Sequence, residues 1–324
     1  MAEVTYLEAI RLGMREEMQR DERVYILGED VGAYGGAFKV TAGLLDEFGP
    51  LRVIDTPLSE SAIIGAAVGS ALLGQRPIAE MQFMDFIACG FDQIVNMAAK
   101  MHYRHRLAVP MVIRGPSGGG VHGGPFHSQN PEAWFVHTPG LKVVQPSNPI
   151  DAYGLIKAAV RDDDPVLYFE HKYLYRRLKG ELPEGDFTVP IGKAAIVQEG
   201  SDLTIYTYGW MVAQSQAAAK HLQSEGVSVE IIDLRTLLPL DRETILKSIE
   251  KTSKALIVHE DTRTLGVGAE VAAILAEHAF DLLDGPIMRV TAPDTPVPFS
   301  PPLEEAFLPN ADKIVAAARQ LAAY

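Results

Sequence analysis

Short β-branched runs alternate twice with helix-spaced apolar stretches along the 324 residues, and that rhythm leaves few folds open. The first set of runs lies at 24–27, 52–54, 77–81, 111–114, 141–144 and 166–169, with helical patterns at 59–73, 86–104 and 149–161. Strands this short, separated by helices, imply parallel βαβ units whose sheet is covered on both faces. An amphipathic helix over 5–20 precedes them, with Leu7, Ile10, Met14 and Met18 on one stripe. Residues 171–190 break the rhythm with charge, Gly and Pro, and read as a linker. Strands at 203–208, 227–233, 255–258 and 288–290 then alternate with helices near 211–224, 241–250, 268–282 and 310–322. The length exceeds one ordinary core. The expected fold class is therefore α/β, with two three-layer domains over 1–185 and 186–324.

Composition excludes several functions. A formal net charge of −13 argues against a nucleic-acid or anionic-membrane surface and leaves room for a basic protein partner. Cys89 is the only cysteine, so neither an internal disulfide nor a thiolate metal cluster can form. No uninterrupted apolar run reaches the roughly 18 residues of a membrane span. The opening Met1-Ala2-Glu3-Val4-Thr5-Tyr6 lacks the basic and apolar regions of a signal peptide, so a cytoplasmic location is expected.

Glu60 is the leading candidate for proton chemistry. It follows the breaker Asp55-Thr56-Pro57 and opens the small, apolar stretch Ser61-Ala62-Ile63-Ile64-Gly65-Ala66-Ala67. A carboxylate buried among such residues must be paired, protonated or hydrogen-bonded. The alternative is an acid that merely complements a helix dipole in its first turn. Among the nine histidines, His127 lies in a Gly/Pro-rich loop after a strand, where α/β sheets place ligands; His122 is a second candidate. Phe83 and Phe86, three apart, read first as helix-start packing. Asp162-Asp163-Asp164 reads as a solvated helix terminus or as a cation site.

Two motifs overlap at 115–123. Gly118-Gly119-Gly120-Val121-His122-Gly123 has the spacing of a dinucleotide fingerprint, but Gly124-Pro125 follows where a helix is required. Gly115-Pro116-Ser117-Gly118-Gly119 spells a serine-hydrolase elbow, with Asp233 and His259 able to complete a triad. Consecutive glycines disfavour the helix that the elbow needs. A ligand-approaching irregular loop is the main reading, with a Ser117 hydrolase and a non-catalytic scaffolding subunit as rivals.

Taken together, the segments Leu27-Gly28-Glu29-Asp30-Val31, Asp55-Thr56-Pro57-Leu58-Ser59-Glu60, Gln82-Phe83-Met84-Asp85-Phe86, Phe126-His127-Ser128-Gln129, Arg161-Asp162-Asp163-Asp164-Pro165 and Asp233-Leu234-Arg235-Thr236 carry a resemblance. The chain resembles, over essentially its whole length, the β subunit of the thiamine-diphosphate-dependent E1 component of 2-oxo acid dehydrogenase complexes. The resemblance implies a pyrimidine-binding domain followed by a transketolase-C-like domain. It implies that Glu60 hydrogen-bonds N1′ of the aminopyrimidine and favours its imino tautomer. Phe86 would pack on that ring, Leu58 and Gln82 would line the pocket, and His127 would face the reaction centre in acyl transfer to a lipoyl group. It also implies a structural monovalent-cation (K+) site beside the active-site loop at Val109, Met111, Val112, Ala159, Asp162 and Asp164. The Gly-Asp-Gly segment that holds Mg2+ and the diphosphate is absent, so a separate α subunit would supply it in an α2β2 assembly. The lipoyl acyltransferase E2 would be the further partner. Pyruvate or a branched-chain 2-oxo acid is the expected substrate, with acetoin dehydrogenase as the alternative.

Overall fold

The computed structural model describes residues 3–324, and none of their helices is long and apolar enough to cross a membrane. The chain divides into two compact units. Unit 1 comprises Met1–Ser117 with Trp134–Ile191, and unit 2 comprises Gly118–Ala133 with Gly192–Tyr324.

Unit 1 runs β1 (Glu3–Thr5), α1 (Tyr6–Arg20), β2 (Val24–Gly28), α2 (Leu44–Phe48), β3 (Val53–Asp55), α3 (Glu60–Leu72), β4 (Arg76–Glu80), α4 (Ala99–His105), β5 (Val112–Ser117), the single turn α5 (Ala133–Val136), β6 (Lys142–Val144), α6 (Pro149–Arg161), β7 (Val166–His171) and β8 (Lys179–Glu181). Thr5 starts α1 through a capping box: its hydroxyl accepts the Glu8 N–H at 3.2 Å, and the Glu8 carboxylate accepts the Thr5 N–H at 2.8 Å. The stripe Leu7, Ile10, Met14 and Met18 is buried, and α1 packs against α6. Six strands pair in parallel in the order β6-β7-β5-β4-β2-β3. Ile26, Ile78, Ile113 and Leu167 fill the sheet centre with no solvent exposure, as expected for parallel strands covered on both faces.

Two regions depart from the sequence expectation. The stretch 86–104 is not one helix: a 3-10 segment (Met84–Gly90) is followed by π-helical turns (Gln93–Ala98) and then α4. Gly90 ends the 3-10 segment against α3, where a Cβ would stand 3.0 Å from Ile64 Cγ1. The supposed linker is tied down. Its β8 pairs antiparallel with β1, Val189 N–H donates to Gly154 O at 3.1 Å, and Asp186 takes Lys157 at 2.6 Å and Arg161 at 2.7 Å.

Unit 2 contains β9 (Ala195–Gln198), β10 (Leu203–Thr207), α7 (Trp210–Gln223), β11 (Val229–Asp233), β12 (Thr236–Leu238), α8 (Arg242–Thr252), β13 (Ala255–Thr262), α9 (Val267–His278), β14 (Met288–Ala292), α10 (Pro301–Phe307) and α11 (Ala311–Ala322). Its five-stranded sheet has the order β14-β13-β10-β11-β9, parallel except for β9 at the edge. Leu203, Ile205, Ile231, Leu256 and Val258 of the strands meet Ala218 and Leu222 of α7 and Ile314, Ala318 and Leu321 of α11 in one core.

Candidate active site

The carboxyl edge of the unit 1 sheet gathers the candidate residues. Gly28 at the end of β2 lies opposite Asp55 of β3 on one side and Glu80 of β4 on the other. The chain crosses from β2 to β3 on one side and from β4 to β5 on the other, so the topological switch point falls between β2 and β4. Open α/β sheets bind ligands outside the strand carboxyl ends at such a point. The segments leaving these strands carry Glu29 and Asp30, then Leu58 and Glu60, then Gln82. Gln82 Nε2 donates to Asp30 Oδ2 at 3.1 Å.

Glu60 is the first residue of α3. The expectation that it is sequestered is not met within this chain: it is half-buried, and Leu58 is 77% exposed. The small residues around it do not form core. Ala62 and Ala66 are exposed on α3, so the apolar pattern marks a helix face that this chain leaves uncovered. Sequence reasoning passed over Glu29, a buried neighbour whose carboxylate accepts the Ser59 N–H at the start of the same helix. Burial pushes the Glu29 carboxyl up, and the charges of Glu60 and Asp30 add to the shift. Phe86, half-buried, meets Phe83 edge to face at 6.2 Å on the 3-10 segment that packs along α3. Carboxylate acceptors beside aromatic and aliphatic surface suit a nitrogen heterocycle that presents N–H. Two acids at the start of α3 oppose a phosphate there, although a bare helix N-terminus would attract one.

Beneath this edge lies an ion network that the sequence did not announce. Arg114 of β5 is fully buried, pairs with Glu80 and Glu170, and donates through Nη2 to Glu170 Oε2 at 2.6 Å. Tyr175 donates its hydroxyl to the same oxygen at 2.6 Å. The one available signal was charge at the ends of three runs otherwise fit for a parallel sheet.

Val109, Met111, Val112, Ala159, Asp162 and Asp164 gather at the amino ends of β5 and β7. That is the opposite edge of the sheet from Glu60. Val109 N–H donates to Asp163 O at 3.0 Å, and Val166 N–H to Met111 O at 3.0 Å. Positive charge is already built in. Arg76 Nη1 donates to Val160 O and Asp162 O at 2.8 and 2.9 Å, and Nη2 pairs with Asp163 at 2.6 Å. Lys142 Nζ lies 2.7 Å from Asp162 and 3.2 Å from Asp164, which also meets His102 at 2.7 Å. Val112 presents no hydroxyl, and the described residues contain no group of three or more His, Cys, Asp or Glu able to hold a metal ion. The carboxylates of Asp162, Asp163 and Asp164 are thus already paired with Lys142, Arg76 and His102.

Ser117 ends β5 as a buried strand residue, its hydroxyl donating to Glu170 O at 3.3 Å. No helix follows it directly, so both overlapping motifs lack their structural context. His127 belongs to the loop of unit 2. Gly118 N–H donates to Gln129 O at 2.9 Å, and His127 N–H to Gly124 O at 3.3 Å. Glu260 accepts the Gly119 N–H at 2.5 Å, and Glu304 takes His122 Nδ1 at 2.6 Å. At the end of the loop, burial raises Glu132 well above the usual carboxylate range, and Tyr208 donates to it at 2.7 Å.

Residues 2–177 match the pyrimidine-binding domain of transketolase, and residues 192–314 match the transketolase C-terminal domain. The β subunit of 2-oxoisovalerate dehydrogenase from Bacillus subtilis (strain 168) is 53% identical over 327 residues, covering 100% of both chains. The chain belongs to the transketolase-like family of 2-oxo acid dehydrogenase β subunits. The pyruvate dehydrogenase E1 β subunit of Staphylococcus aureus (strain COL) is 47% identical over 99% of both chains. A solved chain described as a split-gene transketolase, an inactive β4 tetramer, has a TM-score of 0.82 over 99% of this chain and 98% of its own. At 23% identity that likeness is one of fold. Glu60, Gln82, Phe86 and His127 all fall within the stretch that matches the pyrimidine-binding domain.

Proposed function

We propose that this chain is the β subunit of a 2-oxo acid dehydrogenase E1, forming the pyrimidine half of a thiamine-diphosphate site that an α subunit completes. The observation that carries the proposal is the pair Glu60 and Glu29 at the start of α3, on the switch-point edge, with the exposed Leu58 two residues before Glu60 and Phe86 on the 3-10 segment that packs along α3. Bound thiamine diphosphate supplies the electron sink for decarboxylation. Glu60 holds a proton against the ring nitrogen, Phe86 and Leu58 offer it apolar surface, and Gln82 offers an amide. Burial and the charges of Glu60 and Asp30 push the Glu29 carboxyl up, and its carboxylate accepts the Ser59 N–H at the helix start. Mg2+ and the diphosphate fall to the partner, because the acids at this helix start oppose a phosphate. His127 serves the acyl transfer to the lipoyl group of E2. The substrates are pyruvate or a branched-chain 2-oxo acid, in keeping with the two kinds of relative.

Glu60→Gln tests the assignment. A positioned acid–base group contributes about a hundred- to ten-thousandfold. Turnover of the variant, reconstituted with α subunit, should fall by that factor while its melting temperature holds. Near-normal turnover would refute the role of Glu60.

A further inference from the structure

We propose that Glu304 is a positioning residue that fixes the loop carrying His127; the proposal rests on the acyl-transfer role given to that histidine above. Glu304 projects from α10, and its side chain is 1% exposed. Its Oε1 accepts the Gly120 N–H at 3.1 Å and the His122 N–H at 3.3 Å. Its Oε2 accepts the His122 N–H at 3.1 Å and lies 2.6 Å from His122 Nδ1. The loop thus forms a concavity of N–H groups of the kind that binds anions, and the protein fills it with its own carboxylate. Hydrogen bonds with an ionised acceptor are about twice as strong as neutral ones.

The rest of the loop explains why this anchor matters. Gly123 N–H donates to Ser128 Oγ at 3.1 Å, and the bonds of Gly118 and His127 described above close the loop on itself. Gly124 has φ +67°, and a Cβ there would lie 2.5 Å from the Phe299 ring, so the backbone is pressed against the segment that leads into α10 just before His127. Three consecutive glycines give the loop no intrinsic conformation. Without Glu304, the amides at 120 and 122, in a part-buried stretch, would lose the one protein acceptor that holds both of them. Glu304 therefore acts through the backbone, and its loss should displace the histidine without removing it.

The experiment uses β variants assembled with α subunit: Glu304→Leu, Glu304→Gln, and His127→Asn as reference. The readouts are decarboxylation with an artificial electron acceptor, acylation of an isolated lipoyl domain, and amide hydrogen exchange over 118–128. Displacement of a reacting group by about 1 Å costs on the order of a hundredfold. Glu304→Leu should lower the acylation kcat about ten- to a hundredfold on that basis, leave KM for the lipoyl domain unchanged, and speed exchange in the loop. Glu304→Gln keeps an acceptor oxygen and should recover much of both. Wild-type acylation in the leucine variant, or a loss that glutamine does not relieve, would overturn the proposal. If the leucine variant does not assemble, Glu304→Ala, which also removes both acceptor oxygens, takes its place. Faster exchange at 119–122 with a partial loss of acylation supports the anchor, and wild-type exchange and rate overturn it. An unimpaired His127→Asn would instead overturn the histidine's role, leaving the exchange rates to judge the anchor.

Discussion

The carboxyl edge of unit 1 and the Gly-rich loop of unit 2 both combine acids with an irregular backbone, yet they differ in what finishes them. Glu60 is half-buried at the edge with Leu58 77% exposed beside it, whereas Glu304 of α10 is 1% exposed with both oxygens engaged by the Gly-rich loop. An acid whose surroundings stop at the chain's surface points to a ligand or a second polypeptide. One saturated by backbone N–H groups does its work inside the fold. The contrast is what the proposed half-site requires of a chain whose own loop is complete.

After the loss expected at Glu60, the largest effect should come from breaking the floor of the open edge. Arg114→Met would leave Glu80 and Glu170 buried without their partner, a loss of about 3–5 kcal/mol. Chemical denaturation should register it, and a variant as stable as the parent would show that the edge needs no such floor.

A smaller effect tests the finished side. Burial raises the Asp261 carboxyl to about 7, so between pH 4 and 7 the folded chain holds a proton that the unfolded chain releases. That contribution is fully present below about pH 4 and is lost as pH rises through 7. Burial also holds His259 down to about 4, and it acts in the opposite sense, adding stability as pH rises from 4 to the unfolded histidine range. Asp261→Asn removes only the first. It should match the parent near pH 4 and exceed it by about 2 kcal/mol at pH 8, since each tenfold change in proton affinity is worth about 1.4 kcal/mol and solvent screens part of it. Parallel stability–pH curves for the two proteins would contradict this.

Much of the fold was legible because parallel strands announce themselves as short β-branched runs between helical periods. The segments that hid were those fixed by contacts distant in sequence. The 3-10 segment ends at Gly90, packed against Ile64 of α3, and β8 lacks the β-branched run that marks β3 and β6. Glu60 stood out through its apolar setting, and the same setting misled about burial, since Ala62 and Ala66 belong to an uncovered face. Arg114 looked like the end of a strand run. Glu304 gave no signal, because its partners are backbone amides in a loop about 180 residues away, whose N–H groups carry no side-chain signature.

The central claim, that this chain holds half of a cofactor site, is tested most directly by calorimetric titration of thiamine diphosphate with Mg2+ into the β chain alone and into the αβ assembly. A half-site predicts no measurable binding to β alone and one cofactor per β chain in the assembly. Binding to β alone with the affinity of the assembly would contradict it.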